Sequence, residues 1–229
     1  MKHDFDLDRT ADFPDPLAGI GELPVPLRPA SPLVRPPTRS RVAALRASAL
    51  GAALLYEGVW LAIFNKRSDL SALPRTTLAA EVAIPLAAAG LALAAATARG
   101  ERGMGAPKGR LAAWVLLSPA VFVAATLFAG PPDVDIESFW RHVLRCFLVT
   151  GLLGLGPLGL AAWAFRRGFV AAPAWRMAGL GVACSAIAAA SMTFLCSVGS
   201  PAHVLVGHGG LMVVAGLGGA LFGRRLGEA

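Results

Sequence analysis

The residues of this chain that could do chemistry are concentrated in one stretch. Of the three cysteines, Cys146 lies near the start of one long apolar run and Cys196 at the end of the next. His142 precedes Cys146 by one helical turn, and His203 and His208 follow Cys196 closely. Thiolates are nucleophiles and redox groups, and thiolates and imidazoles bind soft metal ions. The pattern indicates a thiol pair that oxidises to a disulfide, or a site for a soft divalent metal ion.

These residues also have a purely structural interpretation. A cysteine in an apolar helix packs as a small hydrophobe, and this interpretation is favoured for Cys184, in the middle of the fifth apolar run. A histidine at a helix start is often a polar cap, and the Cys/His spacing matches no standard zinc pattern. We take Cys146 and Cys196 as the candidate working site, with His142 and His208 as further candidate metal ligands.

The elements that must position these residues are membrane helices. Apolar residues make up 55% of the chain and charged residues 15%, whereas about a quarter of the residues of a soluble domain are charged. Six apolar runs approach the roughly 20 residues that a helix needs to cross a bilayer. They are Val42–Phe64, Leu78–Ala98, Leu111–Ala129, Val143–Phe165, Met177–Ser197 and His203–Gly223. The sequence predicts an all-α, polytopic membrane domain of six transmembrane helices over residues 42–229. Gly219 and Gly223, four residues apart, would let the last helix approach another closely.

Residues 1–41 are predicted to form a separate cytoplasmic tail. Eight prolines exclude a continuous helix there, and the apolar side chains are too few to build a core. We expect this tail to be disordered when alone and to order on a protein partner; the alternative is a solvated leader. Its candidate partner-binding residues are five aspartates and two arginines: Asp4, Asp6, Asp8, Asp12, Asp15, Arg28 and Arg35.

The positive charges predict the orientation in the membrane. Of the 21 Lys and Arg residues, 16 lie on the side of the two termini and five on the other side, which also carries an acidic loop around Asp135. Because basic segments stay in the cytoplasm, both termini are expected there. Cys146 and Cys196 then share the outer face, where disulfides persist. Membrane-flanking arginines account for the net charge of +7, so we expect no direct nucleic-acid binding.

Four short signatures along the chain resemble those of one bacterial family. They are Leu23-Pro-Val-Pro-Leu-Arg-Pro with Pro32-Leu-Val-Arg-Pro-Pro, then Arg145-Cys146, then Arg166-Arg167-Gly168 with Pro173, and finally Cys196 with Ser200-Pro201 ahead of His208. On these residues the chain resembles the NrsF-type negative regulators of sigma factors, which are six-span membrane anti-sigma factors. The resemblance covers roughly residues 20–225.

The resemblance implies a bacterial inner-membrane protein that is not an enzyme. Its cytoplasmic N-terminal part would hold an extracytoplasmic-function sigma factor, and the bilayer would be its second partner. Two outer-facing cysteines of the family are tied to sensing oxidants or heavy metals, and they correspond here to Cys146 and Cys196. A transient soft divalent metal ion at this pair is the one cofactor that we consider.

Two other classes of protein remain open. A membrane thiol oxidoreductase would need a C-x-x-C pair and a quinone site, and neither is evident in the sequence. A small ion- or proton-coupled transporter would use Glu57 and Glu81, because carboxylates within membrane helices are costly and often functional. We expect both carboxylates instead to contact water near the outer boundary of the membrane.

Overall fold

The described part of the chain consists of helices and the turns between them. The computed structural model describes residues 39–64, 66–98, 106–128, 136–165 and 172–228, and within them there are six helices and no strand. The helices are α1 (Arg39–Ile63), α2 (Arg75–Thr97), α3 (Lys108–Leu127), α4 (Ile136–Phe165), α5 (Pro173–Met192) and α6, which consists of Pro201–His203, the π-helical segment Val204–Gly209 and Gly210–Glu228. The all-α prediction is confirmed for these residues. The seven candidate partner-binding residues of the tail lie outside them.

Five of the six helices, α2 to α6, are long and apolar enough to cross a membrane. Helix α1 is strongly apolar only over Leu50–Ile63, so length and composition support five of the six predicted spans. Large apolar side chains are exposed on the outer faces of the bundle, among them Leu55, Phe128 and Leu217. Exposed apolar surface of this extent is typical of contact with lipid, and it is consistent with a membrane protein.

Helix α5 is the centre of the bundle. In its most apolar stretch 94% of the residues are buried, against 22–28% in the other four long helices, and it contacts each of the other five helices. Its residues are mostly alanine, glycine and serine. Small side chains let neighbouring backbones approach closely, which is how helices pack when the solvent is lipid.

The closest approach is between α5 and α6. A β-carbon added at Gly219 would collide with the carbonyl oxygen of Met177, and one at Gly223 with that of Pro173. The close approach that the spacing of Gly219 and Gly223 predicts is therefore present. At the same end of α5, the buried Arg176 donates hydrogen bonds of 2.9 and 2.7 Å to the carbonyl oxygens of Ala96 and Ala98, where α2 ends.

The predicted bounds of the fifth helix are wrong at both ends. Helix α5 runs from Pro173 to Met192, whereas the apolar run extends over Met177–Ser197. Proline suits the first turn of a helix, where its missing N–H costs nothing. After Met192 the chain forms a turn that stays apolar, so hydropathy does not reveal the helix end. Cys196 therefore lies in a turn and not in a helix.

Candidate functional site

The structure brings both candidate cysteines and two histidines together at one end of the bundle. Cys146 comes from α4, Cys196 from the turn after α5, and His203 and His208 from the start of α6. The Sγ atoms of Cys146 and Cys196 are 3.5 Å apart, and neither cysteine is in a disulfide. The Cys196 Sγ lies 3.3 Å from Nε2 of His203. One ligand atom from each of the four residues lies within 4.8 Å of all the others. We refer to these four residues as the thiol–imidazole cluster.

The start of α6 places His203 on the cluster. The Ser200 side chain accepts a hydrogen bond of 3.4 Å from the backbone N–H of His203, and Pro201 occupies the first turn. This is an N-cap followed by proline, a common way to begin a helix. Because α6 begins so soon after Cys196, its first turn folds back onto the cysteine.

The π-helical segment Val204–Gly209 places His208 on the same side as His203. In an α-helix residues five apart point about 140° away from each other, since each residue adds about 100°. A π-helix bonds residue i to residue i+5, so residues five apart lie nearly above one another. The two imidazole rings are edge to face, with centroids 5.3 Å apart. Single π turns are often found at functional sites.

Helix α4 lies tightly against this segment. A β-carbon on Gly207 would lie 3.4 Å from Cβ of Cys146 and 3.4 Å from the carbonyl oxygen of Val143. The Thr150 hydroxyl donates a hydrogen bond of 2.7 Å to the backbone carbonyl of Cys146. The absence of a side chain at Gly207 thus lets Cys146 reach the cluster.

The polar atoms of the cluster are only partly satisfied. Nδ1 of His203 and Nε2 of His208 are buried and have no hydrogen-bond partner among the described residues. Such a buried atom costs about 1–3 kcal/mol when left unpaired. The hydrogen bond from the Cys146 thiol, supported by His203 and His208, lowers the pKa of Cys196 against the opposing effect of burial. The Cys196 thiol is therefore more acidic than an ordinary cysteine.

A partly open cavity of about 80 Å³ reaches the cluster. Cys196 and His208 line one part of it, and Arg67 and Glu81 line another. Glu81 is about one-third exposed, and Oε2 of Glu81 lies 3.8 Å from the Arg67 guanidinium group. Small molecules or ions can therefore approach Cys196 and His208 past a carboxylate.

Arg67, in the connection between α1 and α2, is hydrogen-bonded to the turn that carries Cys196. Its backbone N–H donates to the carbonyl oxygen of Phe194 at 3.0 Å, and its guanidinium group donates to that of Thr193 at 3.4 Å. The guanidinium group also forms two hydrogen bonds of 2.6 Å to the carboxylate of Asp69. These bonds lower the pKa of Asp69.

His142 and Cys184 lie outside the cluster. His142 is exposed, and its Nδ1 is 2.9 Å from the carbonyl oxygen of Ser138, one turn earlier on α4. Cys184 is buried within α5 and packs against residues such as Leu180. His203, which sequence reasoning left out of its ligand set, takes the place expected of His142. The sequence signal for it is Ser200-Pro201, which starts a helix just before His203.

The expectation that Glu57 contacts water is wrong. Glu57 is 3% exposed on α1, and neither carboxyl oxygen is within hydrogen-bond geometry of a partner in the described part of the chain, although the Ser191 hydroxyl faces the group. Helix α1 packs on α4 and α5 along this face, which hydropathy alone does not reveal. The partial exposure of Glu81 agrees with contact with water.

Comparison with known families supplies the remaining observation. A family model described as "NrsF: Negative regulator of sigma F" matches residues 30–227. The chain belongs to the NrsF family. The match includes the whole thiol–imidazole cluster, and it confirms the resemblance seen in the short signatures. No curated protein and no solved structure matches the chain.

Membership of the NrsF family supports a role as a negative regulator of a sigma factor, with a sigma factor as partner. The family is one of regulators, which is consistent with a protein that is not an enzyme. The apolar helices of this NrsF family member are consistent with a transmembrane location. The thiol–imidazole cluster thus lies in a member of a family of regulators.

Proposed function

We propose that the chain is an inner-membrane anti-sigma factor whose Cys146–Cys196 pair senses chemical stress. Its six helices span the membrane with both termini in the cytoplasm, and the tail of residues 1–41 holds an extracytoplasmic-function sigma factor. Oxidation of the pair, or capture of a heavy-metal ion by it, releases the sigma factor. The observation that carries this proposal is the pair of cysteine sulfur atoms that lie 3.5 Å apart without a disulfide between them, in a family of sigma-factor regulators.

The proposed oxidative step uses a hydroperoxide. The Cys196 thiolate attacks the peroxide oxygen, the O–O bond breaks, and the products are a Cys196 sulfenic acid and an alcohol once the leaving alkoxide takes up a proton. The Cys146 thiol then attacks the Cys196 sulfur, losing its proton, and the sulfenic hydroxyl leaves as water. The two thiols together lose two electrons and two protons, and the hydroperoxide takes up both and is reduced to alcohol and water.

Disulfide formation would move the turn that carries Cys196. An S–S bond is about 2.05 Å long, so sulfur atoms now 3.5 Å apart must approach by about 1.5 Å. Cys146 is held within α4, so most of this movement falls on the turn. Arg67 bonds the turn at Thr193 and Phe194 and would follow it. Since Arg67 comes just after α1, the movement would reach the tail through that helix.

The cysteine pair is tested with single substitutions in cells. Cys146→Ser and Cys196→Ser should each abolish induction of a sigma-dependent reporter by an organic hydroperoxide or cadmium, while Cys184→Ser, the matched buried cysteine, should respond like wild type. Mass spectrometry after hydroperoxide treatment should show a Cys146–Cys196 linked peptide. Normal responses of both single variants would show that these cysteines only pack.

The tail is tested separately with its charges. A peptide of residues 1–41 should bind the cognate sigma factor by itself, because segments that order on binding carry their own affinity. Sigma factors carry basic DNA-binding surfaces, which an acidic segment could cover. Reversing the five aspartates to lysine should then weaken binding at low salt. Unchanged binding would transfer the role to the Pro/Arg segment with Arg28 and Arg35.

A further inference from the structure

The spacing of the thiol–imidazole cluster fits a single metal ion. Four sulfur and nitrogen ligands around a tetrahedral centre at about 2.0–2.3 Å lie about 3.3–3.8 Å from one another. The two sulfur atoms of the cluster are 3.5 Å apart, and Cys196 Sγ is 3.3 Å from His203 Nε2. All four ligand atoms lie within 4.8 Å of each other. Small side-chain adjustments would complete the tetrahedron.

The unpartnered imidazole nitrogen of His208 is a second, independent indication of a ligand. His203 is fully buried and His208 is 5% exposed, and each has one ring nitrogen without a hydrogen-bond partner among the described residues. Buried polar side-chain atoms normally find a partner in the protein or in ordered water. The unpartnered nitrogen of His208 is Nε2, and an ion bound through it would supply the missing partner. His203 would bind through Nε2, which lies 3.3 Å from Cys196 Sγ, and its unpartnered Nδ1 would not contact the ion.

The backbone indicates the same ligand set. The π-helical segment Val204–Gly209 brings His203 and His208 onto one side of α6, although a regular α-helix would have separated them. Gly207, within that segment, allows Cys146 to come close. The π-helical segment and the glycine within it both help to bring the four residues together.

The donor atoms define the class of ion. Two sulfurs and two imidazole nitrogens in a tetrahedral set suit zinc and its softer relative cadmium, whereas magnesium and calcium prefer oxygen ligands. The four protein ligands would fill the coordination sphere, which is typical of a structural or sensing site rather than a catalytic one. An entering ion would pass through the cavity beside Glu81, whose carboxylate attracts cations.

We propose that Cys146, Cys196, His203 and His208 together bind one zinc-class divalent cation. A bound ion holds both sulfurs and keeps them from forming a disulfide, so ion and hydroperoxide compete for the same two atoms. This competition rests on the proposed sensing function, whereas the binding site itself does not.

The proposal is tested on the purified full chain in detergent, reduced and treated with a chelator. Zinc or cadmium is added at micromolar concentration. After gel filtration, the bound metal per chain is measured by inductively coupled plasma mass spectrometry. We expect one ion per chain and, with cadmium, ultraviolet charge-transfer absorption from thiolate. His203→Ala and His208→Ala should each weaken binding by at least about tenfold, since even second-shell changes at metal sites cost that much.

Two controls keep the result interpretable. His142→Ala and Cys184→Ser should bind like wild type, and circular dichroism of every variant reports whether the helices have formed. If a histidine variant does not fold, wild-type protein still decides: bound zinc should protect both Cys146 and Cys196 from alkylation and slow their linkage by hydroperoxide. Wild-type affinity in both histidine variants, or no bound ion in folded protein, would overturn the site.

The outcome is separable from that of the proposed function. Metal binding by a chain that releases no sigma factor under either hydroperoxide or cadmium would leave the site standing and remove the sensing role. Hydroperoxide-driven release by a chain that binds no metal would leave the sensing role standing and remove the site.

Discussion

The two ends of helix α5 are built in opposite ways. At the glycine end, which comprises Pro173–Gly181 with Gly219 and Gly223 of α6, backbone lies against backbone and Arg176 satisfies the last carbonyl groups of α2. The thiol end comprises the turn after Met192 and the thiol–imidazole cluster. There the two cysteines form no disulfide, one ring nitrogen of each histidine lacks a partner among the described residues, and a cavity reaches the surface. The glycine end is too closely packed for its helices to shift, whereas the thiol end has a cavity and side chains that could react.

This difference indicates where the helix bundle is fixed and where it can respond. Local packing and hydrogen-bonding rules are obeyed at the glycine end and broken at the thiol end, and such breaks are expected at functional sites. A sensor needs both ends, because movement at the cluster can be transmitted only if the bundle is held elsewhere.

The largest effect is expected from filling the glycine end. Gly219→Leu would place a side chain against the Met177 carbonyl, a backbone atom that cannot turn aside, and should destabilise the bundle by about 3 kcal/mol or more, at the upper end of the range for overpacking. Thermal unfolding in detergent, followed by circular dichroism, measures the loss. Gly218→Ala is the matched control, because a β-carbon there meets nothing within 4 Å in the described residues. Equal stability of the two variants would show that α5 and α6 are not closely packed.

A smaller loss is expected when Arg176 is replaced. Arg176→Met keeps the apolar stem but removes the hydrogen bonds to the carbonyls of Ala96 and Ala98, and bonds to a charged group contribute about 1.5–3 kcal/mol. We expect a loss of about 2 kcal/mol in the same unfolding experiment, with disulfide formation between Cys146 and Cys196 unchanged. Arg110→Met, at an exposed arginine of α3, should have little effect. A change in disulfide formation with Arg176→Met would mean that the two ends are directly coupled.

A glycine substitution at the thiol end should leave the stability of the bundle nearly unchanged but slow the formation of the disulfide. Gly207→Ala would place a β-carbon 3.4 Å from Cβ of Cys146, so α4 must move away by a few tenths of an ångström. The better helix propensity of alanine, about 1 kcal/mol, offsets the crowding, so we expect near-normal unfolding. The hydroperoxide-driven linkage of Cys146 to Cys196 should become several-fold slower, as measured by mass spectrometry. Gly199→Ala, in the open turn, serves as the control, and a similar rate in both variants would contradict the proposed tight fit.

The smallest change in stability is expected at Asp69, a half-exposed residue whose carboxylate accepts hydrogen bonds from Arg67. The pKa of Asp69 is lowered by this bond, so the carboxylate stabilises the folded state above the ordinary aspartate pKa of about 3.9 and loses this contribution as the pH falls through its lower folded-state value. Asp69→Asn should therefore slightly lower the unfolding temperature at pH 7 and leave it unchanged in strong acid. A difference that persists undiminished at the lowest pH would rule out the ion pair as its cause.

Sequence alone was sufficient for what depends on local chemistry. Apolar runs of membrane-spanning length predicted the helices, because lipid demands apolar side chains and internally bonded backbone. The short signatures around Cys146 and Cys196 predicted the family, and Gly219 and Gly223 predicted a close helix contact. Hydropathy does not reveal where a helix ends, because it measures only the preference for lipid. The turn after Met192 is apolar, like the helix before it.

The sequence does not show which helices and turns come into contact. Hydropathy does not distinguish a central helix from a peripheral one, so neither the burial of α5 nor that of Glu57 could be predicted. By helical periodicity His142, one α-helical turn from Cys146, is the expected partner, yet it is exposed. His203 and His208 converge instead through a π-helical segment, which periodicity rules do not anticipate. Helix register and neighbours are set by packing across the whole bundle, and that information is not contained in any one segment.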